Sequence, residues 1–118
     1  MPYPKKILHW IDNKEVPPVS EKFFTKINPA TGKVMAHIVR GNAKDVARAV
    51  SAAEHGFKIW SCTPIIKRAD LLRDAVLLMR ERADEIIDSV TLESGKPRPA
   101  AVGEAAAATV LADYFFQV

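Results

Sequence analysis

The sequence predicts a mainly α fold with a small N-terminal β-hairpin and strand region. Three observations predict it. The first third holds β-prone runs separated by turn residues. From Asn42 onward apolar residues recur at steps of three and four. No apolar run approaches the roughly 18–20 residues that a membrane span needs. The expected organisation is strands and turns over residues 1–41 and helices over residues 42–118. A chain of 118 residues, 48% apolar, is one domain at most, with material for a modest core.

Taken in order, "ILHWI" (residues 7–11) is β-prone, "DNK" (12–14) has turn chemistry, and Glu15 and Val16 begin a return strand that Pro17 and Pro18 end. A hairpin is expected. After the polar stretch "SEKFF", the run "INPATGKVMAHIV" places Asn28, Pro29 and Gly32 in a turn ahead of an alternating strand over 34–39. Strands this short form no core of their own and must lean on helices or on another chain.

Asn42, followed three residues later by Asp45, is an N-cap arrangement. Val46, Val50, Ala53, Phe57 and Trp60 then give a helix over 43–59 one apolar face. Thr63 and Pro64 form a second start signal, a cap with proline at the first helical position. Ile65, Ala69, Leu72, Val76, Met79 and Ala83 carry that helix to about Glu81, with Lys67, Arg68, Asp70, Arg73 and Asp74 on the solvated side. A third helix runs through Ile86, Ile87 and Val90 to near Ser94. These stripes read as core rather than as a cofactor box.

Composition excludes several function classes. The net charge is +3, with 17 basic and 14 acidic residues interspersed, so no basic patch suggests nucleic-acid binding. "MPYPKKILHW" lacks the apolar core and cleavage site of a signal peptide, and a cytoplasmic location is the expectation. The single cysteine, Cys62, forms no internal disulfide and has no activating group beside it in sequence. His9, His37 and His55 are scattered, without metal-ligand spacing.

The stretch "TLESGKPRPA" (91–100) tests for a phosphate loop. Such a loop needs G-x-x-x-x-G-K-[ST] between a strand and a helix. Here Val90 stands in place of the first glycine, Pro97 in place of the hydroxyl residue, and a helix precedes the loop. Gly95 fits instead as the left-handed residue past a helix end, with Pro97 preventing continuation. Glu93 falls in the last helical turn, where the helix dipole disfavours a carboxylate. Either it is solvated and tolerated there, or a positive group compensates it, Lys96 locally or a bound cation. From Ala100 to Val118, 14 of 19 residues are Ala, Val, Leu, Phe or Tyr, and the only formal charges are Glu104 and Asp113. A helix apolar nearly all round belongs inside a larger body, and Tyr114, Phe115 and Phe116 add a large aromatic surface.

The order "FTKINPATGKVMAHI", then "FKIW", then "RADLLRDAVLLMRERADEIIDSVTLESGKP" and "GEAAAATVLADYFF" resembles the N-terminal portion of the NAD(P)-dependent aldehyde dehydrogenase superfamily, from about Ile7 onward. The resemblance implies an α/β, Rossmann-like intact fold, an NAD or NADP cofactor, an aldehyde substrate and a homo-oligomer. It further implies a cysteine nucleophile, a glutamate-activated water and an oxyanion site, all in segments after Val118. Cys62 does not align with that nucleophile, so no catalytic or cofactor-binding residue is assigned within this chain. In some members a monovalent cation sits near the "NPATG" turn and the acidic residue of "LESGKP"; the corresponding groups are the Ile27 carbonyl and Glu93. The helix 103–116 resembles one beside the family's substrate tunnel, where Ala107 would widen the entrance. The expectation is an N-terminal part of such an enzyme, inert without the remainder of the chain. The alternative is a freestanding interaction module that self-associates through the apolar helix 100–118.

Overall fold

The computed structural model describes residues 3–117, with side chains through residue 115. The chain forms two compact units. One comprises residues up to Ile27 together with Lys33–Cys62; the other comprises Asn28–Gly32 together with the chain from Thr63 onward. Strands thus give way to helices near residue 42, but the first helix groups with the strands.

The strand unit contains β1 (Lys6–Ile7), β2 (His9–Ile11), β3 (Lys14–Val16), β4 (Phe23–Ile27), β5 (Val34–Val39) and α1 (Ala43–Cys62). β2 and β3 form the predicted hairpin, with Trp10 opposite Glu15. Its tip places Asp12 and Asn13 at φ 55° and 57°, the left-handed pair that a two-residue turn of matching twist requires. The expected continuous strand over 7–11 is divided. Lys6 and Ile7 pair in parallel with His37 and Ile38, whereas His9–Ile11 pairs with β3. Leu8 is therefore where the chain passes from one sheet to the other. A further correction concerns Phe23 and Phe24, read as part of a polar stretch. They open β4, which runs antiparallel to β5 and is irregular between Lys26 and Ile27. The three-stranded order is β1-β5-β4, and Ala36 and Val39 of the central strand are buried.

The apolar stripe expected to bury α1 remains outside. Val46, Val50 and Phe57 are exposed, whereas the covered side consists of Asp45, Ala49 and Ala52. Spaced by four and three residues, these form one face. Small side chains let the helix approach β2 closely, and the hydrogen bonds of Asp45 hold that side inward.

The helical unit contains α2 (Ile65–Glu81), α3 (Ala83–Ser94) and α4 (Arg98–Gln117). Pro64 is the N-cap of α2 rather than its first helical residue, and no side chain caps that end. Proline suits the position because its fixed φ leads into the helix while its ψ of 139° stays extended. α4 packs on α2 and α3 along Ala101, Ala105, Thr109 and Ala112, which are buried or half-buried. The Thr109 hydroxyl donates to the Ala106 carbonyl at 2.9 Å, so its polarity is absorbed within α4. Val76 and Ile87 are the buried residues of α2 and α3. Around the seam, Arg98 donates to Asp84 at 2.6 Å and Asp88 at 3.3 Å, and Arg80 pairs with Asp113. The opposite face of α4 exposes Val110, Leu111, Tyr114 and Phe115, the last two edge-to-face at 5.4 Å. The side chain of Phe116, the third aromatic of the sequence reading, lies outside the described residues.

Ala101 is fully enclosed, at 0% exposure. Ala101→Leu is expected to destabilise the chain by about 1–3 kcal/mol, because three extra carbons must displace packed neighbours. An unchanged denaturation midpoint would show that the α4 seam has room for them.

Candidate functional site

The elements assemble two joints, one in each unit. In the helical unit, the turn at Asn28–Gly32 meets the end of α3. Asn28 Oδ1 accepts the Ala30 N–H at 2.9 Å, and the Asn28 carbonyl accepts the N–H groups of Thr31 at 3.3 Å and Gly32 at 2.8 Å. Asparagine opens the turn because its side chain mimics the backbone acceptor. Gly95 ends α3 at φ 71°, donating its N–H to the Thr91 carbonyl at 2.9 Å, as the sequence predicted. Its lack of a side chain is required twice. A Cβ there would lie 2.8 Å from Pro29 Cγ and 3.4 Å from the Ala30 nitrogen. The "NPATG" turn and the "SGKP" stop therefore touch at a point where only glycine fits.

The Lys96 ammonium pairs with the Glu104 carboxylate on α4. Half-exposed and exposed partners of this kind contribute little to stability but tie the loop to the next helix. Glu93 is exposed in the last turn of α3, and Ile27 ends β4 beside its irregularity, half exposed. The two belong to different compact units.

In the strand unit, Asp45 is the organising group, with 2% exposure. Its Oδ1 accepts the Val19 N–H at 2.9 Å and its Oδ2 accepts the Asn42 N–H at 3.0 Å. Asn42 returns the bond, its Oδ1 accepting the N–H groups of Lys44 at 2.8 Å and Asp45 at 3.3 Å. This reciprocal pair is a capping box, with aspartate at the position where glutamate or glutamine is usual. The Val19 hydrogen bond holds the Asp45 carboxyl below the usual carboxylate range, the Asn42 bond adds to this, and burial opposes both. His9 and Arg48 lower it further through their charge, the His9 Nε2 standing 3.8 Å from Oδ2. Gly41 lets the backbone pass under the His9 ring; a Cβ there would approach Cε1 to 2.8 Å.

Both joints fix backbone direction rather than present reacting groups. Cys62 lies exposed at the end of α1. Among the described residues, no group of three or more His, Cys, Asp or Glu side chains is arranged to hold a metal ion, and no helix is long and apolar enough to cross a membrane. The Asn42 and Asp45 spacing was legible in the sequence. The burial of Asp45 and its reach to Val19, 26 residues away, were not, since local spacing carries no signal for a partner so distant.

Comparison with known proteins places this architecture. The sequence model of the aldehyde dehydrogenase family matches residues 16–118. Lactaldehyde dehydrogenase from Escherichia coli superposes with a TM-score of 0.89 at 33% identity, over 95% of this chain and 24% of that one. HpcC from Thermus thermophilus gives 0.90 at 28% identity, over 95% and 22%. An NAD-dependent benzaldehyde dehydrogenase from Corynebacterium glutamicum gives 0.87 at 28%, over 92% and 24%. The chain spans less than a quarter of the length of these solved structures. The mostly helical architecture with its short strands agrees with these structures, and with the family match over residues 16–118 the chain belongs to the aldehyde dehydrogenase family.

Proposed function

We propose that these residues supply the N-terminal part of an NAD(P)-dependent aldehyde dehydrogenase, which oxidises an aldehyde to a carboxylic acid through a cysteine thioester. The family match over residues 16–118 carries this reading. On it, residues 42–118 are the helical part of the cofactor-binding domain, while the nucleophile, the base and the cofactor loop belong to other segments of the enzyme. The contribution of this chain is architectural: the Gly95 joint and the α4 seam set the paths of helices on which the rest is built. The apolar face that α4 leaves exposed, with Val110, Leu111, Tyr114 and Phe115, supports a body completed by further polypeptide.

The test is aldehyde-dependent formation of reduced nicotinamide, followed by ultraviolet absorbance. The 118-residue chain alone is expected to give none, and a longer reading frame containing it is expected to turn over. Turnover by the short chain would overturn the assignment of the chemistry to other segments. Inactivity of the longer enzyme toward a panel of aldehydes with both NAD and NADP would remove the dehydrogenase reading.

Within the same proposal, the Glu93 carboxylate contributes to a monovalent cation site. Glu93→Gln in the longer enzyme is expected to abolish the dependence of its thermal midpoint on potassium or sodium. An unaltered dependence would remove Glu93 from the site.

A further inference from the structure

The strand unit carries a groove that the family reading leaves without a role. It is an open groove of about 670 Å³ between the β2-β3 hairpin and α1. Its apolar lining comes from Ile11 and Val16 of the hairpin and Ala47 and Ala52 of α1. Val16 is buried, and Ile11 and Ala52 are half-buried. Along one side stand Arg48, Ser51 and His55, spaced by three and four residues on a single helix face with serine in the middle.

The charge of the groove is one-sided. Asp12, the one carboxylate in its lining, pairs with Lys14 at 3.3 Å. Asp45 lies close enough to feel Arg48 through space, but both its oxygens are taken up by the Val19 and Asn42 N–H groups. Among the described residues, no hydrogen bond or ion pair engages the side chains of Arg48, Ser51 or His55. A guanidinium, a hydroxyl and an imidazole thus stand ready as donors above an apolar floor. All three donate to an anion, and the imidazole does so through one N–H even when neutral.

We propose that this groove binds a small amphiphilic carboxylate. The head accepts from Ser51 between Arg48 and His55, and an aliphatic tail lies along Ile11, Val16, Ala47 and Ala52. Head and tail are both needed. An exposed ion pair alone is weak, and an apolar floor alone does not choose an anion. The site is independent of the dehydrogenase reading, since none of its residues is assigned to that chemistry.

The experiment is a titration of the isotopically labelled longer enzyme that contains these residues, followed through the backbone amide resonances of Lys14, Arg48, Ser51 and His55. The probes are octanoate, hexanoate, octylamine and inorganic phosphate. Octanoate is expected to shift these amides saturably, with hexanoate weaker by roughly tenfold because two methylenes leave the floor. Octylamine and phosphate are expected to leave the four resonances in place. Arg48→Gln should weaken octanoate about tenfold, the scale of a charged hydrogen bond, and His55→Gln should weaken it less. Both residues are exposed, so the variants keep the fold. Equal response to octylamine would reduce the groove to an apolar surface, and equal response to phosphate would remove the tail from the recognition. Either result overturns the proposal, as does the absence of saturable shifts or an Arg48→Gln variant that binds octanoate as the parent does.

Discussion

Gly95→Ala is expected to destabilise the chain by about 2–4 kcal/mol. Two costs add at this residue. The left-handed conformation at φ 71° disfavours any Cβ by roughly 1–2 kcal/mol, and the new methyl meets Pro29 Cγ at 2.8 Å, an overpacking of the kind that costs about 1–3 kcal/mol. The two are separable. Gly95→Asn relieves part of the first cost, since asparagine tolerates this backbone region, but keeps the collision. Pro29→Ala removes Cγ and with it the second cost alone. In a double-mutant cycle measured by chemical denaturation, Gly95→Ala and Pro29→Ala should therefore couple, the pair being less damaging than the sum of the singles. Additivity would mean that the turn already yields to a side chain at position 95, and the joint would then be a contact without consequence.

The second large effect is expected at Asp45. Asp45→Ala leaves the Val19 and Asn42 N–H groups without their acceptor, in a place nearly closed to water. Asp45→Asn keeps one accepting oxygen and replaces the other with a donor, so one of those bonds is lost. The order of thermal midpoints should be parent, then asparagine, then alanine, with the alanine variant lower by several degrees. The pH dependence has a definite sign. Because the folded carboxyl titrates below its unfolded value, its contribution is complete above about pH 4, the unfolded value. It is lost as the pH falls through the lower folded value. The parent should therefore lose stability toward acid more steeply than Asp45→Ala. Glu85 is also held low, by its hydrogen bond from Arg82; it remains in both proteins, so the difference between the two curves isolates Asp45. Parallel acid limbs would show that the hydrogen bonds of Asp45 do not depend on its charge.

What was legible in the sequence is what depends on neighbours along the chain. Gly95 with Pro97 two positions on, Asn42 with Asp45 three positions on, and Asp12 with Asn13 at a hairpin tip are each local arrangements, and each is realised. What was not legible depends on partners far apart. β1 pairs with β5 across 31 residues, Lys6 with His37, and two residues give no periodicity to read. β4 has only five residues, and Phe24 and Ile27, two of its three large apolar side chains, face outward. Its existence is decided by β5 rather than by its own alternation. The exposed stripe of α1 shows the limit most clearly. The spacing of Val46, Val50 and Phe57 correctly signals a helix, yet which face is covered within this chain follows from a buried aspartate and two alanines, residues that a search for large apolar side chains passes over. The same limit holds for Arg98, whose side chain reaches 14 residues back to Asp84.

The membership of Asn28–Gly32 in the helical unit has a consequence for dividing the gene. The polypeptide leaves the strand unit after Ile27, returns at Lys33 and leaves again after Cys62. A split between Cys62 and Thr63, the last point at which the chain passes from one unit to the other, would strand the turn that belongs against Gly95 on the wrong piece. Neither half would then carry all of its own fold, and complementation between the two would have to restore a five-residue loop from the middle of one of them. The unit is contiguous in space but interrupted in its coding, so recombination that exchanges the front of this protein for that of a relative should succeed when both "NPATG" and "SGKP" come from the same parent.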